Sequence, residues 1–141
     1  MRLICIAIPF VLLAGCSSIA ADPANVKQVP PERLLAFQQP VEGGGQITVN
    51  RDIGMIGGGC YLALSIDRKV SARIGIGEEA HFQVSAGAHI VGIGLDEQDD
   101  SLCSKGRLHR ELSVALQGGA TQYFHIVSEA KSGFGLVPAA Q

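Results

Sequence analysis

The sequence predicts an all-β fold: a small β-sandwich of about seven antiparallel strands, preceded by a cleaved signal peptide and a flexible tether. Three observations predict it. Short runs from residue 46 onward alternate apolar and polar side chains, the period of a strand with one buried face. Clusters of Gly, Asp and Ser break these runs about every 8–12 residues, the spacing of a sandwich or barrel. The chain holds 18 glycines and no tryptophan, which suits a small β domain with many turns.

The N-terminus comes first. Met1-Arg2 is a short positive segment, and residues 3–14 form an apolar run. That is the layout of a secretory signal. A membrane-crossing helix needs about 20 apolar residues. This run is shorter, contains Pro9 and meets Ser17-Ser18 straight after it. Leu13, Ala14, Gly15 and Cys16 at its end resemble the lipobox of bacterial lipoproteins. The bland alternative is an ordinary cleaved signal that happens to contain Cys16. The resemblance implies that residues 1–15 are removed. Cys16 then becomes the first residue, its sulfur joined to a diacylglycerol and its new amine acylated. Buried acyl CH₂ groups contribute about 0.8 kcal/mol each, so the anchor is stable. Ser17, where Asp would signal inner-membrane retention, implies the outer membrane, with the domain facing the periplasm. Residues 16–29 lack periodicity and read as the lipidated end and tether; residues 30–141 read as the sandwich.

Loss of Arg2 leaves ten basic against thirteen acidic side chains, a balance that gives no reason to expect nucleic acid. The remaining 126 residues make one domain with a real core. Cys5 leaves with the signal and Cys16 takes lipid, so Cys60 and Cys103 remain. Two thiols in an oxidising compartment read as one disulfide, with two separate buried thiols as the alternative. A loop of about 44 residues would be closed, for about 4 kcal/mol in the chain-entropy picture.

Pro31-Glu32 fits a helix start, and residues 34–38 suit a short helix or a first strand equally. Residues 46–50 (QITVN) alternate, with Ile47 and Val49 on one face. Gly57, Gly58 and Gly59 precede the clearest strand, 60–67 (CYLALSID), whose inward face is Cys60, Leu62, Leu64 and Ile66. Residues 70–76 resume with Val70, Ala72, Ile74 and Ile76 inward, as the second arm of a hairpin that lacks the favoured Asn-Gly turn. Residues 81–84 place Phe82 and Val84 inward, and 88–95 (AHIVGIGL) follow. An acidic loop at 96–100 leads to Cys103. Residues 111–116 place Leu112, Val114 and Leu116 inward, 121–127 (TQYFHIV) follow, and 134–137 suit a last short strand.

Residues 66–90 then show a recurring order: a turn with Asp67, a Val-x-Ala strand, Gly77-Glu78, and Phe82-x-Val84 running into Ser85-Ala86-Gly87-Ala88-His89. This resembles short bacterial lipoproteins with a DUF2846-like or PEGA-like β-sandwich, over roughly residues 45–128. Ser85 stands where that family would place Pro, and the Pro-Glu-Gly-Ala signature is absent. The resemblance implies a β-sandwich and no established activity.

Candidate chemistry is sparse. Residues 75–80 match G-x-G-x-x-A with Asp96 downstream, but a dinucleotide site needs that motif to open a helix, and residues 81–84 alternate like a strand. A hairpin turn explains the glycines. His81 and His89 could approach across a tight hairpin, with His125 as a third ligand of a metal, yet no spacing demands it. Asp96, Glu97, Asp99 and Asp100 offer oxygens for calcium without the EF-hand order. No nucleophile elbow supports a Ser–His–Asp hydrolase. The expectation is therefore no cofactor, no metal and no catalytic residue. A non-catalytic binding or scaffolding module follows, anchored to a membrane through Cys16, its partner an envelope protein, with peptidoglycan or a secretion apparatus as alternatives. An inhibitor of an envelope-attacking enzyme acting through residues 57–59, and an envelope hydrolase, are the rival readings.

Overall fold

The structure is a computed structural model and describes residues 17–54, 59–99, 103 and 105–140. Within these, two sheets pack face to face. One holds β1 (Lys27–Gln28), β5 (Glu78–Val84), β2 (Gly45–Arg51), β8 (Thr121–Glu129) and β9 (Gly133–Pro138), in that spatial order. The other holds β4 (Lys69–Ile74), β3 (Leu62–Ile66), β6 (Gly87–Leu95) and β7 (His109–Leu116). The all-β sandwich expected from the sequence is the observed architecture. The inward faces assigned from alternation hold for Ile47, Val49, Leu62, Leu64, Ile66, Ala72, Ile74, Phe82, Val84, Val114 and Leu116. These are buried between the sheets together with Val91, Ile93, Phe124 and Ile126.

Nine strands are described, against an expected seven or so, because β1 has only two residues and β9 pairs fully with β8. Two pairings are parallel, β1 with β5 and β2 with β8. Strands β2 and β8 reach this arrangement because the chain between them builds the whole second sheet, and a parallel pair needs such a long crossover.

Three local features differ from the sequence reading. Val70 points outward and is about half exposed. The β3–β4 register shifts between Leu64 and Ser65, so that Ser65 faces Val70 while Leu64 faces Ala72. Ser71 is the extra residue of a bulge, which flips the face of what precedes it. The hairpin turn itself is Asp67-Arg68, both with positive φ (51° and 64°). It thus has the left-handed form that suits strand twist without the usual glycine. The glycine segment at 75–77, expected as a hairpin turn, instead carries the chain from β4 in one sheet to β5 in the other. The β5–β6 turn crosses back, so His81 and His89 lie on different sheets and not across a hairpin.

Residues 31–38 form neither a helix of any length nor a full strand. A 3-10 turn spans Pro31–Arg33. Leu34 then bridges Ala72, and the Leu35 and Ala36 N–H groups donate to Ser71 O at 2.8 and 3.3 Å. This short segment covers part of the β4 edge, which would otherwise present unpaired backbone.

Candidate membrane seat and ligand groove

Strand directions collect the long connections at one end of the sandwich. β2 and β8 run toward it, β4 ends there at Ile74, and β6 ends there at Leu95. The segment expected as a flexible tether is docked at this same end. Ser17 bridges Glu129, and Ile19 bridges Ile53 through two backbone bonds of 2.8 Å. Ser18 is held on three sides. Its N–H donates to Ser128 O at 2.8 Å, its Oγ accepts from Ser128 N–H at 2.8 Å, and its hydroxyl reaches Asp52 Oδ2 at 3.4 Å. Asp52 in turn holds His125 Nδ1 at 2.6 Å. Gly54 permits the approach, since a Cβ there would lie 2.7 Å from Ser128 Oγ and 3.1 Å from Ser18 Cβ. Farther along, Ala21 and Val29 are buried, and Lys27–Gln28 pair with β5. The segment is a strap on the domain, not a free spacer.

Two buried features brace this end. Arg51 continues the inward face of β2 and is 2% exposed. Its Nη1 donates to Cys60 O at 2.6 Å and to Ile74 O at 2.9 Å, so one guanidinium ties β2 to the opposite sheet. Burial lowers its pKa to about 10, with the Glu78 charge opposing the shift, and Arg51 stays charged at neutral pH. Cys60 and Cys103 form the expected disulfide, Cα–Cα 5.5 Å, within the ordinary range for such bridges. It pins the connection after β6 to the start of β3.

Next to these lies an ion-pair cluster. Arg33 Nη1 and Nη2 donate to the two oxygens of Glu78 at 2.6 Å each, and Gly75 N–H donates to Glu78 Oε2 at 2.7 Å. Burial pushes the Glu78 carboxyl up, but these bonds and the nearby guanidinium charges outweigh it and hold it below the usual range. Arg33 and Arg73 stack on Tyr61 at 4.4 and 5.4 Å from the ring centroid.

The four-stranded sheet carries a groove on its outer face. Small residues floor it, with Ser65 paired to Gly92 and Ala63 to Gly94. Gly92 is needed there because a Cβ would lie 2.7 Å from Ser65 Oγ. Taller side chains rise on both sides, Leu35, Val70 and Arg73 from the β4 side and Leu108, His109 and Glu111 from the β7 side. The open trough measures about 820 Å³. Charge is mixed around the rim. Arg73 pairs with the buried Asp96 at 2.6 Å, and Arg68 reaches Glu111 at 3.3 Å. Arg107 and Glu97 add one exposed charge of each sign.

The other candidates disperse. Each histidine lies against its own carboxylate: His81 by Glu79, His89 by Asp67, His109 by Glu111 and His125 by Asp52. Among the described residues no three of His, Cys, Asp and Glu are grouped to hold a metal. Asp96 turns inward to Arg73 and accepts from Gln98 N–H at 3.1 Å, so it does not join Glu97 and Asp99 in an oxygen cage. Asp100, Leu13, Ala14, Gly15 and Cys16, and residues 57 and 58 of the glycine loop, lie outside the described residues. Among the described residues no helix is long and apolar enough to cross a membrane.

Sequence reasoning missed the strap, Arg51 and the groove. Arg51 left a signal in its parity with Ile47 and Val49, and the groove left a weaker one in the alternating glycines Gly92 and Gly94. Comparison with protein-family models, curated proteins and solved structures found no match to this chain.

Proposed function

We propose that the chain is a lipid-anchored lipoprotein of the cell envelope. It acts as a non-catalytic binding module, held at the outer membrane by Cys16 and facing the periplasm. Its groove takes an extended segment of an envelope protein. The groove on the outer face of the four-stranded sheet carries the binding half of this reading. A sheet face normally holds side chains standing off it, and here Ala63, Ser65 and Gly94 leave an open floor between walls of apolar and charged side chains. Mixed charge at the rim suits a peptide with both signs better than a single anion. The lipobox at residues 13–16 supports the anchor, and the likeness to DUF2846-like or PEGA-like lipoproteins agrees with the sandwich architecture.

The test is a crosslinking pull-down from intact envelopes with wild type, Cys16→Ser and Ala63→Tyr. One partner should appear with wild type and disappear with Ala63→Tyr at unchanged thermal stability. A partner still captured by a folded Ala63→Tyr variant removes the groove from the proposal. Cys16→Ser should give an unprocessed or soluble precursor. Unchanged membrane fractionation and lipid labelling would refute the anchor.

A further inference from the structure

The docked strap fixes where a lipid on Cys16 leaves the domain. Ser17 is bridged to Glu129, and one trans peptide bond places consecutive Cα atoms about 3.8 Å apart. The acyl chains therefore start within a few ångströms of the domain surface, with no spacer between. At that spot the protein exposes an apolar pair. Ile19 and Ile53 lie directly opposite each other in their bridge, so their side chains share one face. Ile19 is 74% exposed and Ile53 50%. A Cβ on Gly77 would sit 3.7 Å from Ile53 Cγ1, which places the 75–77 turn beside them.

We propose that this end of the sandwich seats on the bilayer, with Ile19 and Ile53 entering the headgroup region beside the acyl chains. The inference rests on the lipoprotein reading of Cys16. Its occupant is the lipid surface because the chain itself delivers that surface to the pair. A rigid attachment this short leaves the Ile pair next to the membrane whenever the anchor is inserted. The strand axes then stand off the membrane and the groove faces sideways. The 67–68, 85–86 and 117–120 turns point away from the bilayer.

Absence of tryptophan from the chain makes a direct test available. Ile53→Trp and, on the far half of β8, Tyr123→Trp would each be purified as the full lipidated protein. Tyr123 is 40% exposed, so it serves as the distal control. Each is reconstituted into phosphatidylethanolamine–phosphatidylglycerol vesicles carrying a nitroxide high on the acyl chain, and intact mass verifies the lipid. The expected result is a blue shift and loss of emission for Ile53→Trp and neither for Tyr123→Trp. Ile19→Trp repeats the measurement from the strap side. Lipid present with Ile53→Trp unquenched, or with both positions quenched alike, overturns the seat while leaving the anchor standing. A blue shift of Ile53→Trp without vesicles that grows with protein concentration assigns the pair to a second copy and also overturns it. Absence of lipid on Cys16 removes the anchor and the seat together.

Discussion

Replacement of His89 by Leu should cost stability at low pH and little at high pH. His89 is buried on β6, yet Nδ1 lies 2.8 Å from Asp67 Oδ2 and Nε2 lies 2.7 Å from Ser85 O. Neither a carboxylate nor a carbonyl donates, so both ring nitrogens carry hydrogen and the ring is an imidazolium. Asp67 also accepts from Ile90 N–H at 2.9 Å. The ring thereby joins the β3–β4 turn to the β5–β6 turn. Burial pushes the His89 pKa down, but the Asp67 bond, the Ser85 carbonyl and the Asp67 charge raise it overall. Burial pushes Asp67 up, but the bonds from His89 and Ile90 lower it overall. His89 thus contributes fully below its unfolded pKa of about 6.5 and loses that contribution as pH rises through the higher folded value. Asp67 contributes above its unfolded value of about 3.9 and loses that as pH falls through the lower folded one. The pair is strongest between about pH 4 and 6.5.

Two hydrogen bonds from a charged ring would give about 3–6 kcal/mol at 1.5–3 each. Asp67 is 46% exposed and Ser85 is exposed, so water replaces both partners and screening reduces the pair. The cost of His89→Leu should be about 2 kcal/mol at pH 5.5, or roughly 6–10 °C in Tm for a domain of this size. Thermal unfolding followed by circular dichroism from pH 5 to 9 measures it. A deficit that stays the same across that range would refute the imidazolium, and a deficit below about 0.5 kcal/mol would refute the turn-joining role.

Further outcomes follow from the braces at the strap end. Joint replacement of Cys60 and Cys103 by Ala should change mobility on a non-reducing gel, and urea unfolding should show a loss of up to about 4 kcal/mol. Glu78→Gln should cost about 3 kcal/mol, because Arg33 loses its buried partner. The wild-type advantage should also fade as pH drops, since a lowered carboxyl contributes only while ionised. Gly54→Val should lift the strap. Hydrogen exchange should then speed up at the Ile19 amide while Val49 in β2 stays protected.

Much of the sandwich was legible because a period of two, carried by Leu62, Leu64 and Ile66 or by Phe82 and Val84, reports a buried face directly. Pairing is a different matter. Alternation says which face of β2 is buried and nothing of its neighbour, so β8 lying parallel to it left no trace. Val70 was misplaced because a bulge at Ser71 changes parity without any marking residue. The strap was illegible because it docks mainly by backbone bonds and the Ser18 hydroxyl, and its two buried apolar residues, Ala21 and Val29, lie too far apart to show a period. Arg51 lies just past the 46–50 run expected as a strand, yet its parity with Ile47 and Val49 already put it on the inward face. Of the sites, the Cys60–Cys103 bridge followed from elimination, whereas the groove depends on which strands are neighbours.

The bridge from Ser17 to Glu129, with β2 parallel to β8, has a consequence for how the molecule matures. Neither the central ladder of the five-stranded sheet nor the strap's last contacts can form until the β8 region has been made. Loop closure over such distances is slow. On the proposed lipoprotein reading, acyl transfer to Cys16 would act on the other extremity, which emerges first. The chain would then be tethered before it is folded, and closing of the strap would mark a chain that has arrived whole. A truncated product would keep its lipid but lack the Glu129 register that holds Ser17, leaving its leading segment open to envelope proteases.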